Sequence, residues 1–240
     1  MPLVLAREKE RDKMKYLKNL FKETYLRDII ARNKLKNMEE LEELLNIVAS
    51  GIGSLTNPQK LANTFKSVKH VNFSASTIKR YLDYLEDAFI VQKVLRYDIK
   101  GKKYIGTPYK YYFVDPGIRN ACLDFRQSEP THMMENIIYN ELNIRGYAVD
   151  IGNHTLIKER KATEVDFVIN QGSKRCYIQA VWSMPTKEKR EQEERAFLEI
   201  RDSFKKIIIT GDDIEPYYDE HGILIMGLKD FLVNANSLDG

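Results

Sequence analysis

Two acidic residues and a glutamine fall on a predicted β-hairpin in the second half of the chain. Residues 163–169 and 177–182 are rich in β-branched and aromatic side chains and flank a short polar connection, which is the pattern of a hairpin. Strand residues two apart share a face, so Glu164, Asp166 and Val168 are expected opposite Tyr177, Gln179 and Val181, with Val168 facing Tyr177. The other face is then uniformly apolar, with Val165, Phe167, Ile169, Ile178, Ala180 and Trp182.

These side chains indicate a metal-dependent phosphodiesterase with one part missing. Hydrolysis of a phosphodiester needs two or three acidic oxygens to hold Mg²⁺ and a cation that positions or activates water. Asp166 and Gln179 on the hairpin and Glu135 on a preceding predicted helix are the side chains available to such a site. The second strand of the hairpin offers no cation for this task, because Val181, two residues after Gln179, can neither donate a proton nor polarise water. The alternative is that Glu164, Asp166 and Gln179 form a hydrogen-bonded polar face without a catalytic role.

The elements around this hairpin predict a mixed α/β sandwich. From residue 133 onward the hydrophobic patterns give the order α-β-β-β-α-β-β-α. These elements are a helix over 133–145, a strand over 148–151, the hairpin, a helix capped by Thr186 that buries Ala196, Phe197, Ile200 and Phe204, strands over 205–210 and 222–226, and a closing helix over 228–234.

The front half predicts a helical lead-in followed by a winged helix. Residues 8–33 show helical spacing, and Asn37 opens a capping box with Glu40. Asn57-Pro58 is the pattern of a helix start, and Ser74 or Ser76 caps a third helix. Strands over 91–97 and 110–114, joined by a basic turn, complete the order of a helix-turn-helix relative.

A winged helix would offer two groups of cations to a phosphate backbone. The predicted nucleic-acid contacts are Lys79 and Arg80 on the third helix, and Arg96, Lys100, Lys102 and Lys103 on the wing. The later turns of the third helix are acidic, which weakens the case for DNA reading. Winged helices also serve as protein–protein modules, and the wing lysines alternatively belong to an ordinary solvated hairpin.

Composition limits the class of protein. Residues 1–127 carry 24 Lys and Arg against 15 Asp and Glu, a net charge of +9, whereas residues 128–240 carry a net charge of −6. The basic half is better suited to phosphate backbones. A stretch of about 18 apolar residues is missing, so no membrane span is expected. With two distant cysteines and an N-terminus that lacks the pattern of a signal peptide, we expect a cytoplasmic protein.

Several motifs resemble the C-terminal region of prokaryotic AAA-type P-loop ATPases of unknown function (domain of unknown function 4143), which has a PD-(D/E)xK nuclease-like fold. The resemblance spans about residues 12 to 235. It is carried by Tyr16–Leu20 and Tyr25–Ile29, by Thr77-Ile78 with Tyr81-Leu82 and Leu85–Ala88, by the helix with Glu135, by Gly146-Tyr147, Glu164–Phe167 and Tyr177–Gln179, and by the run from Lys189 to Thr210.

The resemblance implies an α+β or α/β chain of three parts. Residues 1–36 would be the end of an ATPase lid, 37–127 a winged-helix-like domain, and 128–240 a restriction-endonuclease-like mixed sheet. Relatives carry an ATPase module in front, yet no GxxxxGK[ST] motif occurs here. We therefore expect the C-terminal portion of a larger protein, with ATP bound only by an upstream domain and no cofactor held by this chain itself.

The resemblance implies that Glu135 and Asp166 would be the metal ligands and that Gln179 would complete the catalytic residues. The E-x-K signature of that nuclease fold is replaced by Gln179-Ala180-Val181, so Val181 stands where the lysine is expected. We therefore expect an accessory or regulatory region of an ATPase, with a degenerate nuclease-like domain that recognises DNA or a partner and catalyses nothing alone. One alternative is a functioning Mg²⁺-dependent nuclease. Another is a purely protein–protein or oligomerisation module.

Overall fold

The computed structural model describes residues 2–35, 38–69, 73–126, 129–156 and 161–239. The chain divides into two compact units. The first unit comprises residues up to Lys93 together with Tyr109–Glu129, and the second comprises Val94–Pro108 together with Pro130–Gly240. The capping box predicted at Asn37 lies outside the described residues. The partition at residues 36 and 127 into lid, winged helix and nuclease-like domain stays a prediction.

The first unit is built from helices that bury apolar stripes. Its helices are α1 (Pro2–Leu5), α2 (Glu10–Asn19), α3 (Arg27–Asn33), α4 (Met38–Ser50), α5 (Pro58–Thr64), α6 (Ala75–Asp87) and α7 (Pro116–Cys122), with π-helical segments at Leu20–Leu26 and Phe65–Lys69. Leu17, Phe21 and Ile29 are buried along the leading helical segment, which confirms the helical spacing of residues 8–33.

Two helix starts in this unit follow the predicted capping chemistry. The Asn57 side chain accepts a hydrogen bond of 2.7 Å from the backbone N–H of Lys60, and Pro58 takes the first helical position. The Ser74 hydroxyl accepts one of 3.0 Å from the N–H of Thr77. The sequence therefore determines where α5 and α6 begin.

The hairpin predicted as a wing belongs in part to the second unit. It consists of β1 (Val91–Asp98) and β2 (Lys103–Phe113), and the residues between Val94 and Pro108 lie in the second unit. There β1 pairs in parallel with β3, with Arg96 opposite Ile151. The end of β1 that precedes the turn is thus paired with β3, a contact that the predicted winged-helix order does not include.

The second unit is organised by a mixed sheet flanked by helices. Its further elements are α8 (Pro130–Ile144), β3 (Ala148–Leu156), β4 (Lys161–Gln171), β5 (Lys174–Val181), α9 (Lys187–Leu198), β6 (Lys205–Thr210), β7 (Tyr217–Tyr218), β8 (Leu224–Gly227) and α10 (Leu228–Val233). Among the described residues the strand order is β2-β1-β3-β4-β5-β6-β8-β7. The β3/β4, β4/β5 and β7/β8 pairs are antiparallel, and the others described are parallel. The mixed α/β prediction is confirmed at this level.

The predicted register of the β4–β5 hairpin is confirmed, but the division of its faces is wrong. Val168 pairs with Tyr177 as expected. Between the pairs Asp150–Val168 and Gly152–Val165, however, β4 has one residue more than β3, which is a β-bulge. The extra residue places Val165 in the same buried cluster as Val168.

Helices cover both faces of this hairpin. The Tyr139 ring of α8 lies 6.3 Å from the Phe167 ring, measured between centroids. Ala196 and Phe197 of α9 pack into the cluster that contains Val165 and Val168. Helices therefore pack on both faces of the hairpin, and its polar side chains Glu164, Asp166 and Gln179 are half-buried.

Candidate functional site

Asp166 and Gln179 come together as predicted, and both hold the hairpin closed. Oδ2 of Asp166 accepts a 2.8 Å hydrogen bond from the backbone N–H of Ala180. Oε1 of Gln179 accepts a bond of 3.4 Å from the backbone N–H of Asp166. The described backbone pairs of this hairpin run from Gln171–Lys174 to Phe167–Ile178. The two side chains thus bridge the strands beyond the last of these pairs, where the bulge diverts β4.

Glu135 lies on α8 and is only 6% exposed. Nδ1 of His132, one turn earlier, is 3.9 Å from Oε2 of Glu135. Among the residues that the structure describes, no group of three or more His, Cys, Asp or Glu side chains is arranged to hold a metal ion. The role of Glu135 and Asp166 as metal ligands stays a prediction.

Val181 occupies the position where the nuclease signature has its lysine. Its side chain is 5% exposed and lies in the apolar cluster with Tyr177 and Phe197. A charged ammonium at this place would lose much of its hydration, which is costly. The local environment is therefore that of a packed core residue.

The turn between β1 and β2 presents three exposed lysines, Lys100, Lys102 and Lys103, which we call the tip lysines. The carboxylate of Asp98 accepts a 3.0 Å hydrogen bond from the N–H of Gly101 and shapes the turn. Within the described ranges no carboxylate forms an ion pair with any tip lysine. Their ammonium groups are available to an external anion.

The other predicted phosphate contacts have different surroundings. Nη2 of Arg96 donates a 2.6 Å hydrogen bond to Oδ1 of Asn153, so this half-buried side chain links β1 to β3. In the first unit, Nζ of Lys79 donates a 2.8 Å bond to Asp83, which raises the pKa of Lys79. Arg80 is exposed on the same helix. The structure thus brings Lys79 and Arg80 together on α6 and the tip lysines together on the β1–β2 turn.

A row of side chains on the second unit escaped the sequence predictions. It consists of Tyr104, Tyr97, Arg175 and Phe204, and we call it the aromatic–arginine row. The Tyr104 and Tyr97 rings meet edge to face at 5.6 Å. The Arg175 guanidinium lies 4.9 Å from the centroid of Tyr97 and 5.5 Å from that of Phe204. Each member contacts the next, so the row crosses one face of the sheet.

Hydrogen bonds to neighbouring side chains fix the orientations of Tyr104 and Arg175 in this row. The Tyr104 hydroxyl donates to Oδ2 of Asp150 at 3.3 Å. Burial raises the pKa of that carboxyl, while the bond from Tyr104 and the charge of Arg175 lower it. Nε of Arg175 donates to Asn170 at 2.7 Å, and its Nη1 donates to the Tyr97 hydroxyl at 3.3 Å. The only signal in the sequence was the adjacency of basic and aromatic residues, as in Lys103-Tyr104 and Phe204-Lys205.

A family comparison identifies the first half of the chain. A domain of unknown function (DUF8612) matches residues 1–129, which is more than half of the 240 residues. The chain belongs to the DUF8612 family. The expected membership in the family of domain 4143, the ATPase parentage and the nuclease-like fold stay predictions for this DUF8612 protein.

Relatives of this DUF8612 protein occur in bacteria and archaea. An uncharacterized protein of Haemophilus influenzae is 34% identical over 220 residues, covering 90% of this chain and 52% of the relative. The uncharacterized protein MJ1544 of Methanocaldococcus jannaschii is 28% identical over 216 residues, covering 88% and 47%. The chain spans about half the length of the curated relatives that it matches.

The crystal structure of protein VC1899 from Vibrio cholerae aligns with 90% of this DUF8612 chain and 53% of its own, at 12% identity and a TM-score of 0.29. That score is too low for the likeness to bear on the fold. Within the described residues, every helix of the DUF8612 protein is too short or too polar to cross a bilayer.

Proposed function

We propose that this DUF8612 protein is an accessory region of a larger ATPase. In this proposal the region recognises nucleic acid, and its nuclease-like unit does not cleave phosphodiester bonds. The main support for the absence of catalysis in this proposal is the structural role of the Asp166 carboxylate. Its Oδ2 is bonded to the backbone of Ala180, and the buried Val181 stands in place of the cation that hydrolysis requires. Oδ2 of Asp166 thus has a structural role in joining β4 to β5.

The order of elements supports a nuclease-like ancestry. The run α8-β3-β4-β5-α9-β6 places three antiparallel strands after a helix and then a parallel strand after a second helix. The acidic residue on α8 and the acid–amide pair on the hairpin occupy the expected positions in that run. A nuclease-like order of elements combined with an altered catalytic signature agrees with a role in recognition.

The nucleic-acid part of the proposal depends on the tip lysines. Three exposed ammonium groups lie within four consecutive residues of one turn. Lysine contacts to phosphates release condensed counter-ions, which gives binding that is strong at low salt and independent of sequence. DNA is the partner that we propose for this turn.

A cleavage assay tests the non-catalytic part. We expect that plasmid and single-stranded DNA stay intact with the protein and Mg²⁺ or Mn²⁺, in the wild type and in Asp166→Ala alike. The readout is gel mobility over time, and a known metal-dependent nuclease serves as the positive control. Metal-dependent cutting by the wild type that Asp166→Ala abolishes would overturn the proposal in favour of an active nuclease.

A further inference from the structure

Two rings of the aromatic–arginine row are open to solvent although both are held in place. Tyr104 is 62% exposed and Phe204 is 39% exposed. Tyr104 is fixed by its hydroxyl bond to Asp150 and by the edge of Tyr97. Phe204 is fixed by Arg175 and by the Tyr177 ring, whose centroid is 6.3 Å away. Exposed aromatic faces in fixed orientations bind a planar ligand at little cost in conformational entropy.

The sequence prediction that Phe204 is buried beside Phe197 and Ile200 is wrong, and this difference creates the open ring. Phe197 and Ile200 are buried, at 0% and 4% exposure. The chain leaves α9 before Phe204, and Asp202 accepts hydrogen bonds from the Tyr177 hydroxyl at 2.6 Å and from the Phe204 N–H at 3.2 Å. These bonds position Phe204 over the sheet face rather than inside the core.

Cations lie at both ends of the row. The chain passes from Lys103, a tip lysine, directly to Tyr104. At the other end a recess of about 250 Å³ is lined by Lys174, Arg175, Phe204 and Lys205 among others. The row thus combines stacking faces with cations close to both of its ends.

The acidic groups near the row are already engaged. Asp150 is buried and accepts from Tyr104, and Asp202 accepts the two bonds described above. Asp239 lies 3.0 Å from Nζ of Lys174 in an exposed ion pair, which an incoming phosphate could replace at small cost because such pairs contribute little. The cations beside the row therefore favour an anionic ligand, and the exposed rings favour one that carries planar groups.

We infer that the aromatic–arginine row binds single-stranded nucleic acid, with unpaired bases stacking on Tyr104 and Phe204 and phosphates following the lysines at its two ends. Stacking on aromatic side chains together with a basic track is how proteins hold single strands without reading sequence. A duplex keeps its bases paired and offers these rings no open face. The inference rests on the proposed function and adds the strand form that the second unit prefers.

The test compares a fluorescent oligothymidylate with a duplex of the same length by anisotropy. The double variant Tyr104→Leu/Phe204→Leu keeps apolar volume but removes both rings. We expect single-strand affinity to fall by roughly fivefold or more for each ring lost, while duplex affinity changes by less than about twofold. The matched control is Tyr217→Leu/Tyr218→Leu, which removes two exposed rings of β7 in the same unit.

A second variant separates stacking from a structural role. Tyr104→Phe keeps the ring and removes the bond to Asp150, so we expect single-strand binding to be retained. If affinity follows the hydroxyl rather than the ring, the stacking inference is wrong. Ultraviolet cross-linking of the wild type to oligothymidylate, mapped by mass spectrometry, should mark Tyr104 or Phe204, and cross-links found only elsewhere would overturn the inference even if the double variant does not fold.

The outcomes distinguish this inference from the proposal on which it rests. A wild-type protein that binds neither strand form at low salt refutes nucleic-acid recognition itself. Binding that depends on the tip lysines but is equal in the double variant and in the control refutes only the stacking row.

Discussion

His154 lies in β3 at 4% exposure, and within the described part of the chain neither ring nitrogen has a hydrogen-bond partner. Burial lowers the pKa of this imidazole below its ordinary value, against smaller opposing influences from Glu199 and Asp98, while Lys100 acts in the same direction as burial. The folded protein thus disfavours the protonated ring. This residue is a local source of acid sensitivity.

The sign of that sensitivity follows from proton linkage. Because the unfolded chain binds the proton more readily than the folded one, the free energy of unfolding should fall as the pH drops below the ordinary histidine value. We predict lower stability at about pH 5.5 than at about pH 7.5, measured by urea denaturation. In His154→Gln the decrease should be smaller, whereas His221→Gln, at an exposed site, should retain it. An equal decrease in all three proteins would contradict this assignment.

At the scale of elements, the β4–β5 hairpin depends on side chains where its backbone ladder is interrupted. Asp166 supplies the acceptor for the Ala180 N–H, and Gln179 supplies the acceptor for the Asp166 N–H. The bulge at Val165–Val168 makes these substitutes necessary, because it moves β4 out of regular pairing. The polar residues of the candidate site therefore stabilise the fold.

We predict that Asp166→Ala lowers the free energy of unfolding by about 1–3 kcal/mol, since it leaves a part-buried backbone donor without its acceptor. Chemical denaturation measures the change. Asp213→Ala removes an exposed carboxylate from the same unit and should change stability by less than about 0.5 kcal/mol. A stability equal to wild type in Asp166→Ala would show that the hydrogen bond from the Ala180 N–H to this carboxylate does not stabilise the hairpin.

Local patterns were enough to predict many elements. The Asn57 and Ser74 caps, the Thr186 cap of α9 and the Val168–Tyr177 register depend on residues close in sequence or on a short turn. Such signals need no knowledge of distant partners. The juxtaposition of Asp166 and Gln179 on the hairpin was predicted for the same reason.

The features that the sequence did not predict depend on distant contacts. The bulge requires β3 beside β4, and the pairing of Arg96 with Ile151 joins strands more than fifty residues apart in the chain. Trp182, predicted on the apolar face, is 48% exposed because β5 ends at Val181. The aromatic–arginine row brings together residues from four separate segments, so local patterns do not show that these side chains meet.

At the scale of the whole molecule, the charge distribution agrees with a role on nucleic acid. The net charge of +9 in residues 1–127 includes the tip lysines and the basic residues Lys79 and Arg80 of α6. Relatives about twice as long leave room for a further module in the complete protein. An ATPase in that position, with this chain as its recognition region, is the arrangement that we propose.

The most direct test of nucleic-acid recognition is the salt dependence of duplex binding, measured by anisotropy in the wild type and in Lys102→Glu/Lys103→Glu. We predict that the logarithm of the association constant falls linearly with the logarithm of salt concentration, and that the double reversal weakens binding and reduces the slope by about 2. Lys187→Glu/Lys229→Glu makes the same change in net charge at other exposed lysines and should leave the slope unchanged. Binding that is absent at low salt, or a slope equal in all three proteins, would contradict the proposed function.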